Sequence, residues 1–143
     1  MTVPPPLIWT DSLATHVDEI DEQHQILVNA LNEARGKFQG AVSRETVERI
    51  LQDLLSYAIY HFETEESLMQ ARGYALAEPA MAALHLEQHR GFSATVSGLR
   101  EHFQQTGELD KSATLAFLDD WLVQHIMSTD QHLGRYLNGA PPV

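Results

Sequence analysis

Apolar residues in this chain recur every three or four positions in four separate stretches, and no stretch alternates convincingly in the two-residue rhythm of a strand. Each stretch is thus built to bury one helical face, and such faces are satisfied by packing on one another. The first stretch spans about 18–38, with Ile20, His24, Leu27 and Leu31 on one stripe, and Gly36 and Gly40 loosening its end. In the second, Ser43 fits an N-cap, and Val47, Ile50, Leu54, Ala58, His61, Glu65 and Leu68 follow until Gly73. The third starts near Pro79, a good first-turn residue, and carries Met81, His85, His89, Phe92, Val96, Leu99 and Phe103 before Gly107. Gly91 and Gly98 make it the weakest of the four. The fourth begins around 110–112, turns Leu115, Leu118, Leu122, His125 and Ile126 inward, and fades around Gly134. Short connections between helices of this length favour antiparallel neighbours. The expectation is an all-α, up-down antiparallel four-helix bundle. Proline-rich ends, 1–8 and 139–143, bracket what reads as a single domain over 1–143.

Charge and composition narrow the chemistry. Nine Lys and Arg against twenty Asp and Glu give a net charge of −11 with no basic run, a poor match to nucleic acid or anionic lipid. There is no cysteine, which removes disulfides, thiolate metal sites, iron–sulfur clusters and cysteine nucleophiles together. The start lacks the basic and apolar regions of a signal peptide, and no apolar run approaches the roughly 20 residues of a membrane helix. No membrane insertion and a cytoplasmic location are expected.

The informative feature is where polar residues interrupt the stripes. His24 does so on the first helix, His61 and Glu65 on the second, His85 and His89 on the third, and His125 on the fourth. Residues four apart lie one above the other on a helix, so each such pair can reach a common point near the bundle axis. Burying five imidazoles and a carboxylate without partners costs several kcal/mol. A metal removes that cost by binding neutral ring nitrogens and neutralising the carboxylate. Asp130 follows His125 by five residues, about 140° round an ideal helix, and a one-residue π-bulge would be needed to bring it inward. Spacing alone leaves Asp130 open. His16, His102 and His132, together with the acidic runs at 18–22 and at Glu63 and Glu66, read as solvated surface.

Nitrogen and oxygen donors without sulfur allow zinc, iron, copper, nickel or manganese. Five histidines exceed what one tetrahedral zinc uses, so two metals bridged by carboxylates fit better. The Glu-x-x-His signature of ferritin-like carboxylate bundles is absent from the chain.

The segment Ile20-Asp21-Glu22-Gln23-His24, with Trp9 fifteen residues ahead, resembles the opening of a bacterial hemerythrin. So do residues 61–69, the His85-x-x-x-His89 pair, and residues 121–126 followed by Asp130, together covering nearly the whole chain. The resemblance implies two iron ions joined by an oxo or hydroxo bridge. His85, His89 and His125 would hold one, His24 and His61 the other, with Glu65 and Asp130 bridging. Counting donors then leaves one position open on the iron of His24 and His61, where dioxygen would bind reversibly. The resemblance assigns Leu27, Phe62, Trp121, Leu122 and Ile126 to the apolar wall that excludes water from that position. It also implies a non-catalytic protein for oxygen carriage, storage or delivery. Alternatives are oxygen or redox sensing through a signalling partner, and a di-iron peroxidase or nitric-oxide-handling enzyme drawing protons from Tyr57 or Tyr60. An oxygen-consuming protein is the partner that delivery implies. Two departures stand out: His16-Val17 where relatives often show Gly-Ile, and a stretch from Gly73 to His85 about four residues longer than usual, without the proline common after the tyrosine.

Overall fold

The computed structural model of the chain describes residues 6–139, and the outer parts of the two proline-rich ends lie outside them. Four long helical segments carry the expected stripes: α1 (Asp18–Lys37), α2 (Arg44–Ala71), α4 (Pro79–Thr106) and α5 (Lys111–His125). A single short turn, α3 (Tyr74–Ala77), fills the segment before Pro79, and α6 (Gln131–Leu137) prolongs the fourth helix beyond a π-turn at Ile126–Asp130. No helix among the described residues is long and apolar enough to cross a membrane.

Local chemistry sets these boundaries. The Ser43 hydroxyl accepts the Thr46 N–H at 3.1 Å and the Asp110 carboxylate accepts the Ala113 N–H at 2.9 Å, so α2 and α5 each have a side-chain N-cap. Gly107, at φ 73°, closes α4 in the left-handed conformation that glycine adopts without steric cost. Gly73, at φ 68°, ends α2 in the same way and aims Tyr74 inward, where it is fully buried.

The apolar side chains form two clusters. The larger gathers Leu27, Leu31, Leu54, Ala58, Phe62, Phe92, Leu118, Leu122 and Ile126, and the smaller gathers Ile20, Met69, Tyr74, Ala82, Leu133 and Leu137. The smaller cluster draws on the start of α1, the end of α2, the start of α4 and the end of the fourth segment. That alternation is what up-down antiparallel packing produces. On α1 and α4 the residues expected as metal donors fall between the two clusters along the chain, and on α2 and the fourth segment they overlap the end of the larger cluster, at Phe62 and Ile126.

The fourth helix does not stop at Gly134, as its sequence suggested, but runs to Leu137. Gly134 is there for contact: a Cβ at this position would lie 2.7 Å from the Thr15 carbonyl oxygen. The same strand of backbone is held from its other side. The Asp21 carboxylate accepts the Thr15 N–H and hydroxyl, both at 2.8 Å, and the His16 N–H at 3.0 Å. His16 itself is exposed and sits at φ 65°, the one described non-glycine residue in the left-handed region.

The sequence departure at His16 thus has a conformational cost. A left-handed L-residue loses about 1–2 kcal/mol, of which glycine's greater freedom in the unfolded chain returns part. His16→Gly is expected to stabilise the protein by about 0.5–1 kcal/mol, raising Tm by about 2–4 °C. Gly134→Ala is expected to destabilise it by about 1–3 kcal/mol through overpacking against Thr15. Thermal unfolding followed by circular dichroism reads both. Equal melting temperatures for His16→Gly and the parent would show that Asp21 removes the strain altogether.

Candidate metal centre

All seven side chains expected at the metals come together, and each is buried. His24, on α1, reaches Asp130 with Nε2 2.8 Å from Oδ2. His61 Nε2, on α2, lies 3.1 Å from Glu65 Oε1 one turn along the same helix. From α4, His85 Nε2 stands 2.9 Å from Asp130 Oδ1 and 3.6 Å from Glu65 Oε2, and His89 Nε2 lies 3.3 Å from Glu65 Oε1. His125 Nε2 is 3.1 Å from Asp130 Oδ1 and 3.9 Å from Glu65 Oε1. Two donor groups result, Glu65 with His85, His89 and His125, and His24 and His61 with Glu65 and Asp130, with the donor atoms of each within 4.8 Å of one another. Glu65 belongs to both. Asp130 presents one oxygen to His24 and the other to His85 and His125, so it also faces both.

Asp130, which spacing alone left open, arrives there through a π-turn. The five residues Ile126–Asp130 form the wider turn, and the extra residue carries Asp130 round to the face of His125.

The electrostatics of the cluster are those of a cation site. Burial alone would raise the Glu65 pKa, but the charge of His61, with His125 and His85 beside it, holds it well below the usual carboxylate range. Asp130 is likewise held low: burial and the Glu65 charge push it up, and His125 and His24 outweigh them. In return, the two carboxylates overcome desolvation and raise His85, and push His125 up to about 10. Both oxygens of Glu65 and Asp130 and the Nε2 atoms of all five histidines are buried without a hydrogen-bond partner. So many orphaned donors converging on two points fit a pair of cations with nitrogen and oxygen coordination.

Ring orientation is fixed from behind. The His61 Nδ1–H donates to Gln23 Oε1 at 2.7 Å, and Gln23 Nε2 in turn donates to the Thr64 hydroxyl. The His125 Nδ1–H donates to Gln88 Oε1 at 2.7 Å, an oxygen that also accepts the Thr129 hydroxyl. The His89 Nδ1–H donates to Glu66 Oε2 at 2.9 Å. Each bond selects the tautomer that leaves Nε2 free to ligate. Sequence reasoning missed this layer. Glu66 was assigned to an exposed face, and its bond to His89 crosses from α2 to α4, a pairing no spacing reveals. Gln23 carried a signal, since an amide so buried in an amphipathic helix needs a polar partner.

The remaining expectations divide. Leu27, Phe62, Trp121 and Leu122, with Leu31, Leu54, Ala58, Phe92 and Leu118, line a small apolar cavity of about 20 Å³. Ile126 is buried in the same apolar cluster without lining it. Phe62 stacks on the His89 ring at 4.0 Å and Trp121 on the His125 ring at 4.5 Å, so the wall touches the donors directly. His16 and His102 are exposed as expected, whereas half-buried His132 is bonded through Nδ1 to the Tyr74 hydroxyl at 2.7 Å. Tyr60 is largely exposed and Tyr57 half-buried, its phenol pKa raised by burial and then by Tyr60 and Glu22. Among the described hydrogen bonds, neither phenol reaches a donor of the centre.

Comparison with known proteins agrees with this geometry. The family pattern described as Hemerythrin HHE cation binding domain matches residues 15–137. The bacteriohemerythrin of Stenotrophomonas maltophilia is 32% identical over 125 residues, covering 87% of this chain and 77% of that protein. Myohemerythrin-1 of Phascolopsis gouldii is 30% identical over 128 residues, covering 90% and 92%. A crystal structure of wild-type hemerythrin superposes with a TM-score of 0.81 at 28% identity, covering 93% of this chain and 98% of the other. With the pattern spanning the bundle from the turn before α1 to the end of α6, the chain belongs to the hemerythrin family.

Proposed function

We propose that this protein binds dioxygen reversibly at a pair of iron ions and works as a non-catalytic oxygen carrier, store or delivery protein. The observation that carries the reading is the unequal donor count. Three imidazoles serve one side and two the other, with two carboxylates facing both. His85, His89 and His125 would hold one iron, and His24 and His61 the other, with Glu65 and Asp130 between them. An oxo or hydroxo bridge would complete the pair and leave a position free on the two-histidine side. When bound, the iron pair supplies the two electrons by which dioxygen is held.

The chain's own residues account for reversibility. Gln23 keeps the His61 ring turned so that its Nε2 faces inward. The cavity walled by Leu27, Phe62, Trp121 and Leu122 offers no titratable group, and an apolar cavity of this kind stays dry. Protons that would complete reduction of the bound oxygen are kept away. Neither Tyr57 nor Tyr60 is aimed at the donors, which favours a carrier over a peroxidase or nitric-oxide-handling enzyme. Names given to relatives, bacteriohemerythrin and myohemerythrin, point the same way. Such a protein would hand its oxygen to a consuming partner.

Loading is expected to displace protons, because the carboxylates raise the His85 pKa and push that of His125 up to about 10, whereas a ligating imidazole is neutral. Metal uptake near pH 7 is therefore expected to release protons, and affinity to fall about tenfold per pH unit for each proton displaced as the pH drops. Calorimetry of Co(II) binding in buffers of different ionisation enthalpy measures the release. Uptake without proton release would contradict the assignment of these two rings.

For function, the reduced iron-loaded protein is expected to colour in air and bleach again under vacuum. His61→Ala should lose this cycle while keeping its helical circular dichroism. A His61→Ala protein that still cycled would remove that ring from the two-histidine site, and a parent that failed to release oxygen would end the carrier reading.

A further inference from the structure

The five histidines do not have equal support, and the difference has a direction. His61 and His125 rest on uncharged partners, the amides of Gln23 and Gln88 and the Thr129 hydroxyl. His24 and His85 have buried Nδ1 atoms with no partner. Among the described residues only His89 donates its Nδ1–H to a carboxylate, that of Glu66, at 2.9 Å. The Glu66 side chain is 42% exposed, and its one described ion pair is with this ring. Packing holds the His89 ring as well as Glu66 does: Phe62 lies parallel to it at 4.0 Å and 12°, and His85 and His125 pack against it at 4.5 and 5.1 Å.

We propose that Glu66 is an electrostatic tuning partner of His89, placing negative charge behind the three-histidine half of the centre so that this half holds the more highly charged metal. The proposal rests on the two-iron reading above. A hydrogen bond from Nδ1–H to an anion is stronger than one to an amide and moves electron density toward Nε2. Ligand basicity rises, and a basic ligand stabilises a ferric ion more than a ferrous one. Gln88, which serves His125 on the same half, is neutral and adds no such bias. Glu66 would therefore favour the ferric state on the His89 side of an iron pair, relative to the His24 and His61 side. The asymmetry reinforces the one set by donor number, since the half with more donors also has the more basic one.

Substitution separates charge from shape. Glu66→Gln keeps the acceptor oxygen and removes the charge, whereas Glu66→Ala removes both. Gln88→Glu places a carboxylate behind His125. The half-exposed position of Glu66 makes its variants compatible with the fold, checked by circular dichroism, and metal content is measured first. For Glu66→Gln, two irons per chain and a tenfold loss of ferric-over-ferrous preference are expected, a rise of about 59 mV in midpoint potential for a one-electron couple. Co(II) titration of the metal-free protein should show one of two sites weakened about tenfold, at the low end of what outer-shell changes do. Glu66→Ala should shift the potential no further than Glu66→Gln, and Gln88→Glu should shift it the opposite way. An unchanged potential and Co(II) affinity in Glu66→Gln, with a loss confined to Glu66→Ala, would reduce Glu66 to a positioning residue and overturn the proposal. So would failure of Glu66→Gln to take up metal at all. A parent protein that binds fewer than two metals brings down the two-iron reading and this proposal with it, whereas two irons with no shift bring down only the role of Glu66.

Discussion

Seven buried polar side chains aimed at one another are the constraint around which the bundle is arranged. Five imidazoles and two carboxylates, each at most 3% exposed, occupy the level between the two apolar clusters. An apolar core could slide or rotate one helix by a few degrees at modest cost, but a charged cluster cannot, because each displaced donor is left buried and unpaired. Every long helix contributes to it. The cluster therefore fixes the axial register of all four helices at once, and hydrophobic packing on either side fills in around that register.

Much of this was legible in the sequence because the relevant periodicities are local. Interrupting an apolar stripe with His61 and Glu65, or with His85 and His89, advertises both a helical face and its chemistry, and the caps at Ser43 and Asp110 need only a few consecutive residues to act. Asp130 is the instructive intermediate. Ideal helical geometry leaves it off the face of His125, and only the resemblance to the hemerythrin pattern argued for its place beside the imidazoles, which the wider turn at Ile126–Asp130 provides. Glu66 and His132 lay beyond such reasoning. Each looks like a surface residue on its own helix, and each is met by a partner from another one, His89 on α4 and Tyr74 at the start of α3. Fold topology decides those contacts, and the hydrophobic period does not encode them.

The aromatic residues link the two scales. Phe62 is buried in the larger apolar cluster and half-buried Trp121 packs against it, yet their faces lie on His89 and His125. Phe62 also meets Phe92 edge-on at 5.6 Å, and Phe92 meets Trp121 at 4.5 Å, so the rings form a continuous wall from core to donors. Packing and ligand positioning are then one interaction, because a change that loosens the wall also frees the imidazoles. Polar support comes from the opposite edge of each ring, at Nδ1. A histidine clamped by an aromatic face and a hydrogen bond has little rotational freedom left, which is what a metal ligand requires.

The π-turn solves a second problem besides the placement of Asp130. Immediately after it, Gln131 donates to the Leu13 and Ala14 carbonyls, Gly134 lies against Thr15, and Asn138 donates to the Thr15 carbonyl. Positions 131, 134 and 138 share one face of α6, and that face clamps the backbone leading into α1. Each residue rotates an α-helix by about 100°, so a regular helix from His125 onward could not keep both Asp130 at the centre and this face on the arm. One inserted residue reconciles them. The carboxylate that faces both donor groups and the clamp that anchors the chain start are thereby set by the same local distortion, and neither can be adjusted without the other.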